Sequence, residues 1–202
     1  MAALVGATAL LTGCSGHSAS AGLLKKFASN RLFVESPADA VVVESYTAGK
    51  SSDFPFGHGN IGGYSQKVYL SPKNVEAAAD ELLVATIAAS GRIERIGCRG
   101  AGSIVDIAAV VDFNGSLRHV ALYVRSDDIA TELAIVRGRP SPPSESVMAL
   151  LRSRVFIAAS VDGKDSKIPS VLHIACDPVR FSDARVRALT GFGGPIERMS
   201  PS

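Results

Sequence analysis

Ile104 to Val124 reads IVDIAAVVDFNGSLRHVALYV, and this stretch decides the fold class. Two apolar runs flank Asn114-Gly115. Asn-Gly between such runs is the strongest short hairpin signal, because a type I′ turn needs positive φ at both central residues. A two-residue loop also fixes the register. It sets Phe113 opposite Ser116, Val111 opposite Arg118, Ala109 opposite Val120, Ile107 opposite Leu122 and Val105 opposite Val124. That face is nearly all apolar and is expected to be core. The other face carries Asp106, Asp112, His119 and Tyr123. Such a mixture belongs on a solvated or partner-facing side.

Upstream, Ser71-Pro72 opens a helical period in which Val75, Ala78, Ala79, Leu82, Thr86 and Ala89 share a stripe. Ser71 is the expected N-cap, Pro72 suits the first helical position, and Gly91 supplies the left-handed stop. Leu32-Phe33-Val34, Ala40 to Val43 and Gln66 to Leu70 read as strands. Thr47 to Gly63 reads as a long loop, with Pro55 and glycines at 49, 57, 59, 62 and 63. Downstream, Ser126 to Arg137 fits a helix capped by Ser126 and ended by Gly138, while Leu133 to Val136 also fits a strand. Arg139 to Ser146 is a Pro/Ser loop. Val147 to Leu151 and Ser182 to Leu189 read as short helices, and Val155 to Val161 with Ser170 to Cys176 as another strand pair. Hairpins with two to four helices, and no regular βαβ rhythm, predict a single α+β domain with a mainly antiparallel sheet.

Composition narrows the function. The chain has 202 residues, 21 Lys plus Arg against 19 Asp plus Glu, and a net charge of +2. It lacks the basic block that a nucleic-acid partner needs. Hydrophobic residues at 47% and charged residues at 20% are too apolar a balance for a disordered chain. No apolar run reaches the ~20 residues of a membrane-spanning helix.

Ala2 to Thr12 is almost wholly apolar or small, and the first charge in the chain is Lys25. A run of about eleven such residues matches the apolar region of a signal peptide. It ends Leu11-Thr12-Gly13-Cys14. These four residues resemble the lipobox of bacterial lipoproteins: Leu, two small residues, then the cysteine that is acylated. The resemblance implies cleavage before Cys14, a diacylglycerol thioether on its sulfur, and an acylated new N-terminus. Buried acyl chains contribute roughly 0.8 kcal/mol per CH₂, so two or three would anchor firmly. Met1-Ala2-Ala3 departs from the pattern, since such leaders open with Lys or Arg. Ser15 after the cysteine implies delivery to the outer membrane of a two-membrane envelope. The division that follows is a signal peptide over 1–13, a flexible tether over 14–30, rich in Ser, Ala and Gly, and one domain over 31–202.

With Cys14 acylated, Cys98 and Cys176 form an even pair in an oxidising compartment and are expected to be bonded. Phe54, Phe56, His58 and Tyr64 are expected as exposed aromatics on a glycine-flexible binding loop. Gly57 to Gly62 satisfies G-x-G-x-x-G, but a strand-like stretch follows where a dinucleotide site needs a helix, so no cofactor is expected. His173 and Cys176 are three apart and point to opposite faces of a strand, so no metal site is expected. Gly-x-Ser-x-Gly, Ser-x-x-Lys and His-Glu-x-x-His are lacking in a convincing context, and no catalytic residue is assigned. The expected function is a membrane-anchored envelope lipoprotein acting as a non-catalytic binding or accessory module. Its partner would be an envelope protein, lipid or polymer. Two alternatives stand beside it. One is an immunity- or inhibitor-type protein. The other is an envelope hydrolase with His58, His119 or His173 in a cleft beside a serine and a carboxylate.

Overall fold

The computed structural model describes residues 15–48, 51–54, 57–61, 63–127, 129–161 and 165–200, with side chains outside 15–20 and 51–61. The strands are β1 (Val41–Ala48), β2 (Ser51–Phe54), β3 (Gly57–Ile61), β4 (Tyr64–Ser71), β5 (Gly91–Arg99), β6 (Ile104–Asp112), β7 (Leu117–Arg125), β8 (Ser153–Ser160), β9 (Leu172–Ala175) and β10 (Ile196–Arg198). The helices are α1 (Ser15–Ser29), α2 (Arg31–Val34), α3 (Val75–Ala88), α4 (Ile129–Arg137), α5 (Glu145–Met148) and α6 (Asp183–Thr190). Eight strands form one sheet in the order β1-β4-β8-β7-β6-β5-β9-β10, and β2 pairs with β3.

This architecture corrects the expected fold class. There are six helices among the described residues rather than two to four. The large sheet is mixed: five of its seven strand pairs are antiparallel, and β9 runs parallel to both β5 and β10. β8 and β9 are not a strand pair: β8 lies between β4 and β7. The β6–β7 hairpin has the register its two-residue turn requires, with Val111 opposite Arg118 through Val105 opposite Val124. Asn114 and Gly115 both take positive φ, 53° and 86°.

Local chemistry sets the helix ends. α3 starts at Val75, not at Pro72, because the Asn74 side chain accepts from the Ala77 N–H at 2.9 Å. Ser71 instead closes β4, and its hydroxyl accepts from the Lys73 N–H. The left-handed residue after α3 is Ser90 at φ 64°, not Gly91. Gly91 begins β5, where a Cβ would sit 2.6 Å from Thr86. Leu32-Phe33-Val34, expected as a strand, belongs to α2, which the Asn30 side chain caps through the Leu32 N–H.

The stretch read as a flexible tether is also corrected. Ser15–Ser29 is helical, and its Leu23 and Phe27 are buried. Phe27 lies 4.5 Å, centroid to centroid, from Phe113 at the β6–β7 turn and 6.3 Å from Phe33 of α2. Lys26 adds hydrogen bonds to the Asn114 carbonyl at 3.0 Å and the Ser116 hydroxyl at 3.3 Å. Gly22, Lys25, Ala28 and Ser29 are exposed on a helix whose apolar residues dock, and packing outweighs propensity in such a case.

α1, α2, α3 and α6 cover one sheet face, where Leu82, Ile96, Ile107, Leu122, Val155 and Ile174 meet in the main core. α4 and α5 cover part of the other, placing Val136 and Met148 on Val43, Val68, Leu70, Phe156 and Ala158. The Cys98–Cys176 disulfide ties β5 to the residue after β9, with Cα atoms 4.9 Å apart, inside the usual range. Arg139 donates to the carbonyls of Val42 and Val43 beside the bulge in β1. It thereby blocks part of an otherwise open sheet edge.

Truncating the Phe27 ring tests the docking of α1. Phe27→Ala is expected to cost about 3–5 kcal/mol in urea unfolding, the usual range for an aromatic lost from a core. A free tether would give a change within experimental error.

Candidate functional site

α4 and α5 cover only the β1-β4-β8 end of the second face, so the strands beyond β8 present theirs outward. The register brings one set of side chains together there. Ala121 lies opposite Ala108, Ala108 opposite Arg95, Arg95 opposite His173, and His173 opposite Glu197. The next row is Tyr123, Asp106, Gly97 and Ala175. Adjacent strands are about 4.8 Å apart, so these two rows span five strands in roughly 20 Å. Ala121, Ala108, Gly97 and Ala175 make a floor of small residues, and longer polar side chains stand around it.

Charge around the floor is mostly paired. Arg99 makes a bidentate contact with Asp106, at 2.6 Å and 2.9 Å. His119 Nδ1 lies 3.3 Å from Glu94, and His173 Nδ1 lies 3.3 Å from Glu197. The Tyr123 hydroxyl is pushed up from its ordinary value, by burial first and then by the Asp106 carboxylate, against the pull of Arg99 and Arg95. Arg95 differs from its neighbours. It is exposed and makes no ion pair or hydrogen bond among the described residues. A guanidinium presents a planar fork of donors that matches carboxylate and phosphate oxygens. Over a floor without bulky side chains, a planar anionic group of a partner can approach it directly.

The sequence-derived site residues do not assemble as expected. Tyr64 is buried in β4 rather than exposed on a loop, and its hydroxyl lies 2.7 Å from that of Tyr46. Phe54 and His58 fall within the β2–β3 hairpin, so the long loop contains paired strands. Their side chains, and all of Phe56, lie outside the described residues, as does Cys14. His119 and Tyr123 do lie on the outward side of the hairpin, four residues apart on β7. His119 and His173 each accompany a glutamate on an open strand face, not a serine in a cleft. Sequence reasoning missed Arg95, because the bulge between Ile93 and Arg95 breaks the period-two pattern that would have put it on the polar face. A comparison with protein-family models found no match, and a comparison with curated proteins found none either.

The opposite face holds a buried cation. Lys67 of β4 is 1% exposed, and its ammonium donates to the Glu35 carbonyl. It lies 5.9 Å from the Tyr69 ring centroid. Burial lowers the Lys67 pKa from 10.5 to about 8, although the Glu35 carboxylate pulls the other way. Between about 8 and 10.5 the unfolded chain therefore holds a proton that the folded chain has released. Stability rises with pH wherever the unfolded state binds more protons. Lys67 should thus add an upward slope over that window. Urea unfolding at pH 8 and pH 10 is expected to show this slope in the wild type relative to Lys67→Met. Parallel pH profiles for the two proteins would contradict it.

Proposed function

We propose that the chain is a lipid-anchored protein of the bacterial cell envelope and that it acts as a non-catalytic binding module. The anchor is Cys14, and delivery is to the outer membrane. The face that binds is the uncovered half of the sheet around Arg95, His119, Tyr123 and His173. The partner is an envelope component that offers a carboxylate or phosphate to Arg95. The observation that carries this reading is the unpaired Arg95 on a floor of Ala121, Ala108, Gly97 and Ala175. A sheet face left open by its own helices, with the Arg95 guanidinium unmatched among the described residues, suits contact with another surface.

Two further observations support it. Leu11-Thr12-Gly13-Cys14 resembles a lipobox. The Cys98–Cys176 disulfide suits an oxidising compartment. Among the described residues no helix is long and apolar enough to cross a membrane, so attachment would fall to the acyl chains. α1 starts at Ser15, directly after the proposed anchor, and Leu23 is the first buried side chain among those described. Those eight helical residues span about 12 Å. A flexible chain of eight residues would average roughly 16 Å and wander. The domain would therefore be held close to the bilayer in a restricted set of orientations.

The anchor is tested by intact mass and membrane partition in a bacterial host. The wild type is expected to gain a diacylglycerol-sized increment and to sediment with membranes, whereas Cys14→Ala stays unmodified and soluble. A soluble, unmodified wild type would contradict the reading. Arg95→Glu, in the lipidated protein, is expected to weaken chemical crosslinking to envelope components at least tenfold without changing the mass increment or the membrane partition.

A further inference from the structure

A cavity of about 440 Å³ opens where four segments meet: the end of α3, the start of β5, the stretch before β9 and the loop after α6. Its apolar side comes from Ile87, Ile168, Pro169 and Phe192. None of these four is buried, and Ile168 is 62% exposed. An aliphatic side chain of that size gains from any apolar surface that covers it. Arg92 is the one charged residue among the described lining residues, and it is exposed. Its Nη1 donates to the Gly91 carbonyl at 3.0 Å, and the side chain makes no other hydrogen bond or ion pair among the described residues. The Nε–Nη2 edge of its guanidinium is therefore unoccupied there. By that same edge Arg31 holds Glu35 and Arg99 holds Asp106, at 2.6 Å to 2.9 Å. The loop after α6 favours the same sign of ligand. Arg187, which does not line the cavity, draws the Phe192 and Gly194 carbonyls to itself at 2.8 Å and 2.9 Å. The Gly193 N–H, on the other side of a planar trans peptide from the Phe192 carbonyl, points away from Arg187.

We propose that this cavity binds a small amphiphilic monocarboxylate, with its carboxylate on the Nε–Nη2 edge of Arg92 and its apolar body over Ile87, Ile168 and Phe192. The head group follows from the guanidinium, whose planar fork meets both oxygens of a carboxylate with parallel bonds. One cation matches one negative charge, whereas a phosphate monoester would bring nearly two. An ammonium would meet Arg92 as a like charge. An alcohol would have only a neutral acceptor to offer, and such bonds are about half as strong as charge-assisted pairs. The size follows from the volume, which equals about fifteen water volumes of ~30 Å³ and leaves room in an open cleft for about ten heavy atoms. An apolar wall with one fixed polar group is the usual make-up of a small-molecule site. The site uses Arg92 rather than Arg95, and it depends neither on the lipid anchor nor on the partner proposed for Arg95.

The test is a detergent-free NMR titration of the full chain carrying Cys14→Ala, oxidised at Cys98 and Cys176. Sodium octanoate is added at neutral pH, and the amides of Gly191 and Gly193 and the methyl resonances of Ile87 and Ile168 are followed. Saturable shifts are expected. Sodium acetate has the head without the body, and octanol has the body without the charge. Each is expected to bind at least tenfold more weakly than octanoate. Arg92→Gln should weaken octanoate at least tenfold, the size of a charge-assisted pair. Ile168→Glu sets a carboxylate at the mouth of the cavity and should weaken octanoate about fivefold or more. Both side chains are exposed, so the fold, read from the remaining spectrum, persists in each variant. Three results would overturn the proposal: no saturable shift with octanoate, octanol binding as tightly as octanoate, or unchanged octanoate affinity in either variant.

Discussion

Three phenylalanine rings from three separate segments meet at one end of the sheet. Phe27 comes from α1, Phe33 from α2 and Phe113 from the β6–β7 turn, with centroids 4.5 Å to 6.4 Å apart. All three are buried. Such edge and tilted contacts add about 0.5–1.5 kcal/mol per pair beyond the area they bury. The positions of α1 and α2 depend on this cluster. α2 has only four residues and could not persist alone, since isolated helices need ~12–15 residues even to be marginal. Once held, it forms one side of an apolar cavity above Tyr69, and its Glu35 carbonyl receives the buried Lys67 ammonium. The aromatic cluster therefore places the apolar cavity and also joins the N-terminal helix to the domain.

The second constraint is helix supply. An eight-stranded sheet has two faces to cover. α1, α2, α3 and α6 all go to one of them. α4 and α5 remain, nine and four residues long, and they cover only the β1-β4-β8 end of the other. The strands outside their reach carry what an uncovered face requires: small residues in the middle, and Arg, His, Glu and Tyr around them. This division gives two chemically different regions on one sheet. One is covered by helices and mainly apolar. The other is open and charged, with pairs at its border and, at Arg95, a guanidinium with no ion pair or hydrogen bond among the described residues.

How much of this was legible in the sequence depended on range. The β6–β7 hairpin was readable to the residue, because Asn114-Gly115 dictates the turn and the turn dictates the register. The stripe of α3 was readable, though its start was misplaced, since Ser71 and Asn74 are both competent caps and only the pairing of β4 decides between them. The Cys98–Cys176 pair was readable from counting, given an exported chain. β5 was not readable, because a bulge at Ile93–Arg95 breaks its alternation. The partners of β8 and β9 were not readable, since both pair with strands far away in sequence. α1 was misread for a related reason: its Ser, Ala and Gly residues look like a linker until Leu23 and Phe27 find Phe33 and Phe113. Of the binding surface, His119 and Tyr123 could be seen from the hairpin alone. Arg95 gains meaning only from what long-range packing does or does not put beside it.

The central claim is that the ordered domain includes α1, so that residues 21–29 are docked on the domain and are not a free tether. Hydrogen exchange of the unlipidated protein, read at single-residue resolution over 21–29 and over α3, tests this most directly. The aromatic cluster predicts that the amides around Leu23 to Phe27 exchange orders of magnitude more slowly than an unfolded chain, with protection approaching that of α3. Exchange of those amides at unfolded rates, with α3 still protected, would contradict it.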